Sequence, residues 1–361
     1  MNNKKITILL PFFLDGGVER AMLNLSKEMI SHGIKVDFVL MSVNNGPLKS
    51  EIPNKCKIIE LGSGNMFFSV IRFIKYIRKE KPDTIISALT PANILAIIGK
   101  YISFRKVKVV VEIQVAVEIS ESTSFFKSKI RPIFYRIFLP LADKIVSVSR
   151  GIKEDLLGFG IPSSKIIVIY NPIFSNDIEL IAEEKVDHKW FNDDIPIIIG
   201  VGRLHKQKNF PLLIESFAKV RKEKNARPVI LGEGEERKNL LDLIKEFDIE
   251  DCVDLVGFVS NPYSYMKKSK LFVLSSDWEG FGNVLAEALC LGVPVVSTNC
   301  KWGPSEILED GKYGKLVPVG NSDALADSII YCLDSNSNNL NSEGGKRFRS
   351  DFIFKQYMEI I

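Results

Sequence analysis

A glycine-containing turn between two glutamates, within residues 277–288 (DWEGFGNVLAEA), is the stretch of the chain best suited to bind a ligand. It follows an apolar strand candidate and leads into a predicted helix, so its backbone amides would lie at a helix N-terminus, where phosphate and sugar oxygens bind. Glu279 enters the turn, and Glu287 lies among apolar helix residues, where an unpaired carboxylate is costly. A ribose diol would satisfy Glu287, because a carboxylate accepts hydrogen bonds from two hydroxyls. A surface glutamate on an amphipathic helix is the alternative, which the apolar neighbours disfavour.

Two cations follow an earlier strand candidate, within residues 202–209 (GRLHKQKN). Arg203 and Lys208 would lie at the carboxyl end of that strand and could neutralise a diphosphate. Negative charge develops on a nucleoside diphosphate as its bond to a sugar breaks, and fixed cations stabilise that charge. A solvated basic loop is the alternative. Gly16 and Gly17, between the first strand candidate and the first helix, either let backbone amides approach an anion or form a tight turn.

The elements that must position these residues alternate between strands and helices along the chain. Apolar strand candidates, several of them continuous β-branched runs such as residues 197–199, are separated by amphipathic helix candidates. Such strands are typical of parallel sheets with helices on both faces. The pattern runs through the first half and then restarts, which predicts an α/β protein with two Rossmann-like domains facing across a cleft.

Length and composition predict where the domains divide. The 361 residues are more than one hydrophobic core usually holds. A polar stretch at residues 171–194 separates the two series of elements, and another at residues 334–342 precedes a terminal helix candidate. The predicted parts are an N-terminal domain of residues 1–175, a C-terminal ligand-binding domain of residues 176–340, and a terminal helical segment of residues 341–361.

Several segments together resemble a known family. GRLHKQKN, followed by EGFGNVLAEALCLGVPVVST at residues 279–298, is similar to the paired signature of the large retaining glycosyltransferase family 4, which has the GT-B fold. The resemblance extends to GGVER near the N-terminus and to WGPSEIL near residue 305, and so covers nearly the whole chain. It implies an enzyme that transfers a hexose or N-acetylhexosamine from a nucleotide sugar, expected to be a UDP-sugar. It also implies that the terminal helix crosses back onto the first domain.

The resemblance implies a role for each matching residue. Arg203 and Lys208 would bind the donor diphosphate, Glu279 would hold hydroxyls of the transferred sugar, and Glu287 would hold the ribose. Further donor contacts would come from Gly280, Phe281, Gly282 and Asn283 in the turn, from Gly16 and Gly17 in the first domain, and from the backbone near Val259 beside the base. Such enzymes need no metal or other cofactor, and this chain has no Asp-x-Asp motif.

One segment departs from the family pattern. Relatives often place a histidine in the segment equivalent to residues 112–114, where it touches the donor sugar. The three histidines of this chain lie elsewhere, so Glu112 or Gln114 is expected to make that contact instead. The first domain shows no convincing nucleophile. Front-face displacement, in which the donor phosphate accepts the proton of the acceptor, is therefore preferred to a covalent intermediate.

Charge divides the chain unevenly. Residues 1–175 hold 25 Lys and Arg against 14 Asp and Glu, a net of +11, and the remainder holds 23 against 30, a net of −7. Basic and aromatic residues alternate at residues 66–81, 101–108 and 125–139, which suits helices lying on an anionic membrane or ordinary core-facing helices. We predict a cytoplasmic enzyme, peripheral on the inner leaflet, whose acceptor is a lipid-linked saccharide in O-antigen or capsule assembly.

Composition and motifs bound the other classes of protein. Hydrophobic residues at 46% and charged residues at 25% argue against disorder. Five dispersed cysteines without a CxxC pair argue against a disulfide framework or a zinc site. A Rossmann oxidoreductase or epimerase would show GxGxxG after the first strand, where this chain has LDGGVER. No nucleic-acid motif is present, so no nucleic acid is expected. The alternatives are a degenerate relative that binds nucleotide sugar without turnover, or a basic protein that binds nucleic acid or lipid.

Overall fold

The computed structural model of the chain describes residues 4–14, 16–43, 46–62, 66–114, 135–335 and 341–361. The chain forms two compact units, Met1–Ile173 with Ser350–Ile361 and Phe174–Arg349. All five cysteines are free thiols. Within the described part of the chain, no helix combines the length and the apolar character needed to cross a membrane.

The first unit contains a seven-stranded parallel sheet with helices between its strands. Its strands are β1 (Lys5–Leu10), β2 (Lys35–Leu40), β3 (Lys57–Glu60), β4 (Thr84–Ala88), β5 (Lys108–Ile113), β6 (Lys144–Ser147) and β7 (Ile166–Val168). Its helices include α1 (Gly17–Ser31), α2 (Met66–Glu80), α3 (Thr90–Ile102) and α4 (Arg150–Gly158). The strands lie in the order β3-β2-β1-β4-β5-β6-β7, and every neighbouring pair is parallel. The central strands are almost wholly buried, because helices cover both faces of the sheet.

The second unit repeats this arrangement with six parallel strands. Its strands are β8 (Ile197–Val201), β9 (Arg227–Leu231), β10 (Asp254–Gly257), β11 (Leu271–Leu274), β12 (Val295–Thr298) and β13 (Lys315–Val317). Its helices include α5 (Asn176–Ile181), α6 (Phe210–Val220), α7 (Arg237–Glu246), α8 (Pro262–Lys268), α9 (Asn283–Cys290), α10 (Pro304–Ile307), α11 (Ser322–Asp334) and α12 (Asn341–Gly345). The strand order is β10-β9-β8-β11-β12-β13. The prediction of two Rossmann-like α/β domains is confirmed.

The strand order defines where a ligand is expected in each sheet. The first strand of each unit lies between the second and the fourth, so the loops after strands β8 and β11 lead away from each other. The crevice at such a switch point is the usual ligand site of an open α/β sheet. The loop after β8 contains Arg203 and Lys208, and the loop after β11 contains Glu279.

The terminal helix α13 (Ser350–Ile360) belongs to the first unit. Its buried residues Ile353, Phe354 and Tyr357 are part of the same apolar core as β1 and α1. The residues just before it do not follow the predicted boundary at 340/341, because residues 341–349 belong to the second unit.

The close packing of Gly345 explains why residues 341–349 belong to the second unit. Gly345 lies so close to α9 that a Cβ on it would be 2.6 Å from the Cα of Cys290. The first boundary falls at 173/174 rather than at the predicted 175/176. Of the stretches singled out from the sequence, residues 125–134 and 336–340 lie outside the described residues.

Candidate active site

The loop after β8 turns back so that Lys208 lies near the strand end. Gly202 leaves room for this, because a Cβ there would lie 3.1 Å from Lys208 Cε. Residues Lys206–Lys208 form a short 3-10 helix, and His205 caps it by accepting a hydrogen bond from the amide of Gln207 at 3.2 Å. Asn209 then adopts the left-handed conformation, with φ 42°, and its side chain caps α6. The local turn chemistry thus sets the direction of the Lys208 side chain.

Lys208 and Glu279 form an ion pair at the switch point. Lys208 Nζ lies 2.6 Å from Glu279 Oε1, and Ser276 Oγ donates to the same oxygen at 2.7 Å. The side chains are 16% and 7% exposed, so the pair is largely desolvated but still reachable. The structure therefore brings together two residues that lie 71 positions apart and that the sequence assigned to one ligand.

Among the described residues, three further side-chain hydrogen bonds connect the two loops. Gln207 Nε2 donates to the carbonyl of Trp278 at 2.9 Å, and Asn209 Nδ2 donates to Asp277 Oδ1 at 2.7 Å. Ser275 Oγ donates to the carbonyl of Lys208 at 2.8 Å. The loops are thereby held in one arrangement, which is the condition for electrostatic preorganisation.

These bridging roles were not assigned from the sequence, although Gln207 and Asn209 lie inside the motif. A side chain that holds one loop against another has no local pattern of its own. In Asn209, the usable signal is an Asn directly before an apolar helix that carries Pro at its second position.

The turn from Gly280 to Asn283 leads into α9 at the same edge of the sheet. Gly282 is the N-cap of α9 and has φ 96°, a conformation that favours glycine. Because glycine has no side chain, Gly282 provides no side-chain cap for the amides at the N-terminus of α9. Amides at such a helix N-terminus favour an anion.

Phe281 is held in place by two residues that the sequence reasoning did not identify. Gly303 has φ 99°, and a Cβ on it would overlap the carbonyl oxygen of Phe281. The ring of Phe281 packs edge-to-face against Phe348, with the ring centroids 5.6 Å apart. Both aromatic rings are buried. In the sequence, Gly303-Pro304 suggests only a turn, and Phe348 resembles any apolar residue.

Glu287 lies on the helix that this turn begins, and Val259 follows β10 at the same edge of the sheet. Glu287 is half-buried on α9, and Tyr263 Oη donates to its Oε1 at 3.5 Å. Val259 is half-buried two residues after the end of β10. Because β10 lies two strands from β8, its carboxyl end is about 10 Å from that of β8, a distance that a nucleoside diphosphate can span.

Arg203 is the exposed cation of the site. Its guanidinium makes no hydrogen bond or ion pair with the part of the chain that the structure describes. The loop backbone around it is fixed, because the amide of Leu204 donates to the carbonyl of Glu233 at 2.9 Å. The backbone around Arg203 is therefore held in place, and its guanidinium lies exposed.

Gly16 and Gly17 lie at the start of α1, as the sequence predicts. Gly16 caps α1, and the carboxylate of Glu19 folds back over it, since a Cβ on Gly16 would overlap Glu19 Oε2. Glu19 is 3% exposed. An acidic residue in the first turn stabilises a helix N-terminus. A carboxylate therefore lies against Gly16, and contact of Gly16 and Gly17 with a diphosphate stays a prediction.

Glu112 is too deeply buried to contact a sugar, and Gln114 has partners within the first unit. Glu112 is wholly buried at the end of β5, and its Oε1 accepts a hydrogen bond from Tyr357 of α13 at 3.0 Å. Its Oε2 has no hydrogen-bond partner among the described residues. Gln114 and Asn171 exchange two amide hydrogen bonds, at 2.9 Å and 3.0 Å. Both predicted residues therefore hold elements of the first unit together.

The environment of Glu112 favours its neutral form. Burial raises the pKa of Glu112 to about 7, although the hydroxyl of Tyr357 and the amide of Gln114 act in the opposite direction. Burial also raises the pKa of Tyr357, so its hydroxyl stays protonated and donates. This hydrogen bond joins residues 245 positions apart and fastens the terminal helix to the sheet of the first unit.

Comparison with known proteins gives a consistent result. The model of Glycosyltransferase Family 4 matches residues 15–175, and that of Glycosyl transferases group 1 matches residues 182–348. An N-acetylgalactosamine-N,N'-diacetylbacillosaminyl-diphospho-undecaprenol 4-alpha-N-acetylgalactosaminyltransferase of Campylobacter jejuni is 31% identical, over 92% of this chain and 90% of its own. The lipopolysaccharide core biosynthesis glycosyltransferase LpsE of Rhizobium meliloti is 26% identical, over 90% and 88%.

A solved structure shows the same fold. The Anabaena protein Alr3699/HepE, in complex with UDP and glucose, superposes with a TM-score of 0.82 at 21% identity and covers 99% of both chains. That identity supports the fold alone. Because the Campylobacter relative spans most of both chains, and the two family models together match most of both units, this chain belongs to the family 4 (group 1) glycosyltransferases of the polysaccharide-biosynthesis type and has their two-domain GT-B fold.

Proposed function

We propose that this glycosyltransferase transfers a hexose or N-acetylhexosamine from a UDP-sugar to a lipid-linked saccharide, with retention of the anomeric configuration, in the assembly of an O-antigen or capsule. The observation that carries the proposal is the desolvated pair of Lys208 and Glu279 at the switch point of the second sheet. The Campylobacter relative is named as acting on a diphospho-undecaprenol-linked saccharide, and the HepE structure contains UDP.

In the proposed reaction Arg203 and Lys208 stabilise the leaving diphosphate. Negative charge grows on its oxygens as the bond to the sugar breaks, and preorganised cations lower the energy of that state. Glu279 orients sugar hydroxyls, and Glu287 binds the ribose. Because cations take the place that Mg²⁺ holds in other transferases, we expect turnover to persist in EDTA.

Front-face displacement is the proposed route to retention. The acceptor oxygen bonds to the anomeric carbon on the face from which the phosphate oxygen leaves, and the acceptor proton passes to that phosphate oxygen. The buried thiol of Cys300 does not compete as a nucleophile, since burial and then the charge of Glu279 raise its pKa to about 12.

A donor panel tests the proposal. The purified protein is incubated with UDP-, GDP- and ADP-sugars and a polyprenyl-diphosphate saccharide, in EDTA, and the product linkage is determined by NMR. We expect one UDP-sugar to be used, with the donor's anomeric configuration kept. An inverted product, or a glycosyl–enzyme adduct found by mass spectrometry, would refute the mechanism. Donor binding without turnover on any acceptor would indicate a degenerate relative.

We also propose that the first unit docks on the cytoplasmic face of an anionic membrane. On α2 the exposed side chains include Phe67 and Phe68, at 66% and 54% exposure, followed by Lys75 and Lys79. Exposed aromatic groups beside cations suit a membrane interface. Phe104, 87% exposed just after α3, extends this surface.

The carboxyl-terminal ends of α2 and α3 are joined by a single arginine. Arg78 donates to the carbonyls of Ser103 at 3.2 Å and Ile102 at 3.4 Å.

Flotation with phosphatidylglycerol vesicles at low salt tests the docking. We expect wild type to float, and the double variant Phe67→Ser/Phe68→Ser to float less than a control, Phe247→Ser, which changes an exposed Phe of the second unit. Failure of wild type to float would refute the docking.

A further inference from the structure

The segment of residues 344–349, here called the crossover segment, connects the second unit to the terminal helix and packs along α9 on the way. Gly345 touches one end of α9, where Cys290 Sγ donates to its carbonyl at 3.3 Å. Phe348 touches the other end through the ring of Phe281. The crossover segment thus contacts both ends of the helix whose N-terminus is the proposed phosphate site.

We infer that Phe348 is a positioning residue for donor binding, which acts by fixing the backbone of Phe281. The inference rests on the proposed donor site. The amides of Phe281, Gly282 and Asn283 must lie at fixed positions to hold phosphate and sugar oxygens. A displacement of about 1 Å in such groups reduces rates by up to about a hundredfold.

Phe348 packs against a charged side chain as well as against Phe281. Its ring is wholly buried, and the guanidinium of Arg347 lies 4.9 Å from the ring centroid. Arg347 in turn donates to the carbonyl of Glu306 at 3.1 Å and pairs with Glu309. Phe348 is therefore held between an anchored arginine and the donor turn.

The other side of Phe281 is fixed by backbone rather than by a side chain. Gly303 is in contact with the carbonyl of Phe281 and has no room for a Cβ. Phe281 is thus held on one side by the backbone of Gly303 and on the other side by the ring of Phe348. Phe348 provides the side-chain part of this support, so a substitution of Phe348 tests it.

A double-mutant cycle tests whether Phe348 acts through Phe281. Dissociation constants for UDP are measured by calorimetry in wild type, Phe348→Leu, Phe281→Leu and the double variant. Loss of an edge-to-face aromatic pair corresponds to a change of about three- to tenfold. We expect Phe348→Leu to weaken UDP binding by this factor, and to have no further effect when Phe281 is already Leu.

Phe217→Leu is the matched control for a loss of core packing. Phe217 is wholly buried in α6 of the same unit and has no contact with the donor turn among the described residues. We expect it to lower the unfolding midpoint as Phe348→Leu does, but to bind UDP as wild type does. If Phe348→Leu cannot be purified, Arg347→Lys replaces it, with an expected weakening of about twofold.

The outcomes are separable. Unchanged UDP affinity in Phe348→Leu, or in Arg347→Lys if that variant replaces it, or equal loss in Phe217→Leu, would overturn the inference while leaving the donor site intact. Fully additive effects of Phe348→Leu and Phe281→Leu would show that Phe348 does not act through Phe281, and would also overturn it. Wild type that binds no nucleotide would refute the proposed donor site itself, and the inference with it.

Discussion

The carboxyl edges of the two sheets share a strand order but use their polar residues in opposite ways. In the second unit, Lys208 and Glu279 pair with each other and remain 16% and 7% exposed, and Arg203 lies exposed beside them. In the first unit, Glu112 is wholly buried and bonded to Tyr357, which is also wholly buried. One edge keeps its charges within reach of a ligand, and the other uses its polar groups inside the protein.

This difference between the two edges indicates which of them can carry donor chemistry. An ion pair that is already oriented and largely desolvated can exchange partners for a ligand with little reorganisation. A buried carboxyl under a helix cannot do so without local unfolding. In the proposed function the donor machinery therefore belongs to the second unit, whereas Glu112 supports the terminal helix and Gln114 bonds to Asn171.

The largest effect is expected from breaking the ion pair of the second unit. Among the described residues, Lys208→Met leaves Glu279 with only Ser276 as a side-chain hydrogen-bond partner, and it removes a cation from the leaving group. We expect kcat/KM for transfer to fall by about 10²- to 10³-fold. Initial rates measure this, with Lys206→Met as the control because Lys206 is an exposed cation of the same loop. Equal losses in both variants would mean that general basicity matters rather than the pair.

The corresponding change in the first unit should affect stability and not donor binding. The pKa of Glu112 is about 7 in the folded protein against an ordinary 4.5, so folding favours the protonated acid. The stabilisation is complete below about pH 4.5 and is lost as the pH rises through 7, by about 3 kcal/mol in all. Glu112→Gln should abolish this pH dependence, because the amide is neutral throughout.

Hydrogen–deuterium exchange of α13 measures that effect. Comparison of Glu112→Gln with wild type at pH 5 and at pH 8 cancels the intrinsic pH dependence of exchange. We expect the variant to protect α13 better than wild type at pH 8 only. Peptides of α7 in the second unit are the internal control. The same ratio at both pH values would show that Glu112 titrates at its ordinary pKa.

A smaller effect is expected from Arg203, and on binding alone. Because its guanidinium bonds to no described residue, Arg203→Ala should leave the unfolding midpoint unchanged. It should weaken UDP binding by about tenfold, the value of one charge-assisted hydrogen bond, and less at high salt. Calorimetric titration at 50 mM and 500 mM NaCl measures this. A lower midpoint with unchanged affinity would assign Arg203 a structural role.

The smallest effect concerns the hydrogen bonds between the loops. Asn209→Gly keeps the left-handed backbone but loses the cap of α6 and the bond to Asp277. We expect a stability loss of about 1 kcal/mol, a few tenths of it from the cap and the rest from the bond to Asp277, and a two- to fivefold weaker affinity for UDP. Asn321→Gly, which removes the cap of α11, should lose about a few tenths of a kcal/mol and no affinity. Equal affinity in the two variants would show that the bond to Asp277 does not support the site.

The fold and the second-unit site could be predicted because their signals are local. Continuous apolar strands such as Ile197–Val201 and the turn before α9 are each specified by a few neighbouring residues. The pairing of Lys208 with Glu279 follows, since both loops leave adjacent parallel strands at the same edge.

The surroundings of Glu112 could not be predicted because their determinant is distant in sequence. Glu112 follows a strand as a ligand contact would, but its partner lies 245 residues away in the terminal helix. The carboxylate of Glu19 lies against Gly16, which the pair of glycines does not reveal. The roles of Gly303 and Phe348 likewise depend on tertiary contacts with Phe281.

Calorimetry can decide whether the second unit binds the donor nucleotide. UDP, GDP and ADP are titrated, in EDTA, into wild type, Glu287→Ala and Glu112→Gln. The account predicts that one nucleotide binds to wild type, that Glu287→Ala weakens it by at least about tenfold, and that Glu112→Gln leaves it unchanged. Loss of affinity in Glu112→Gln with none in Glu287→Ala would contradict the claim that the second unit alone holds the donor nucleotide.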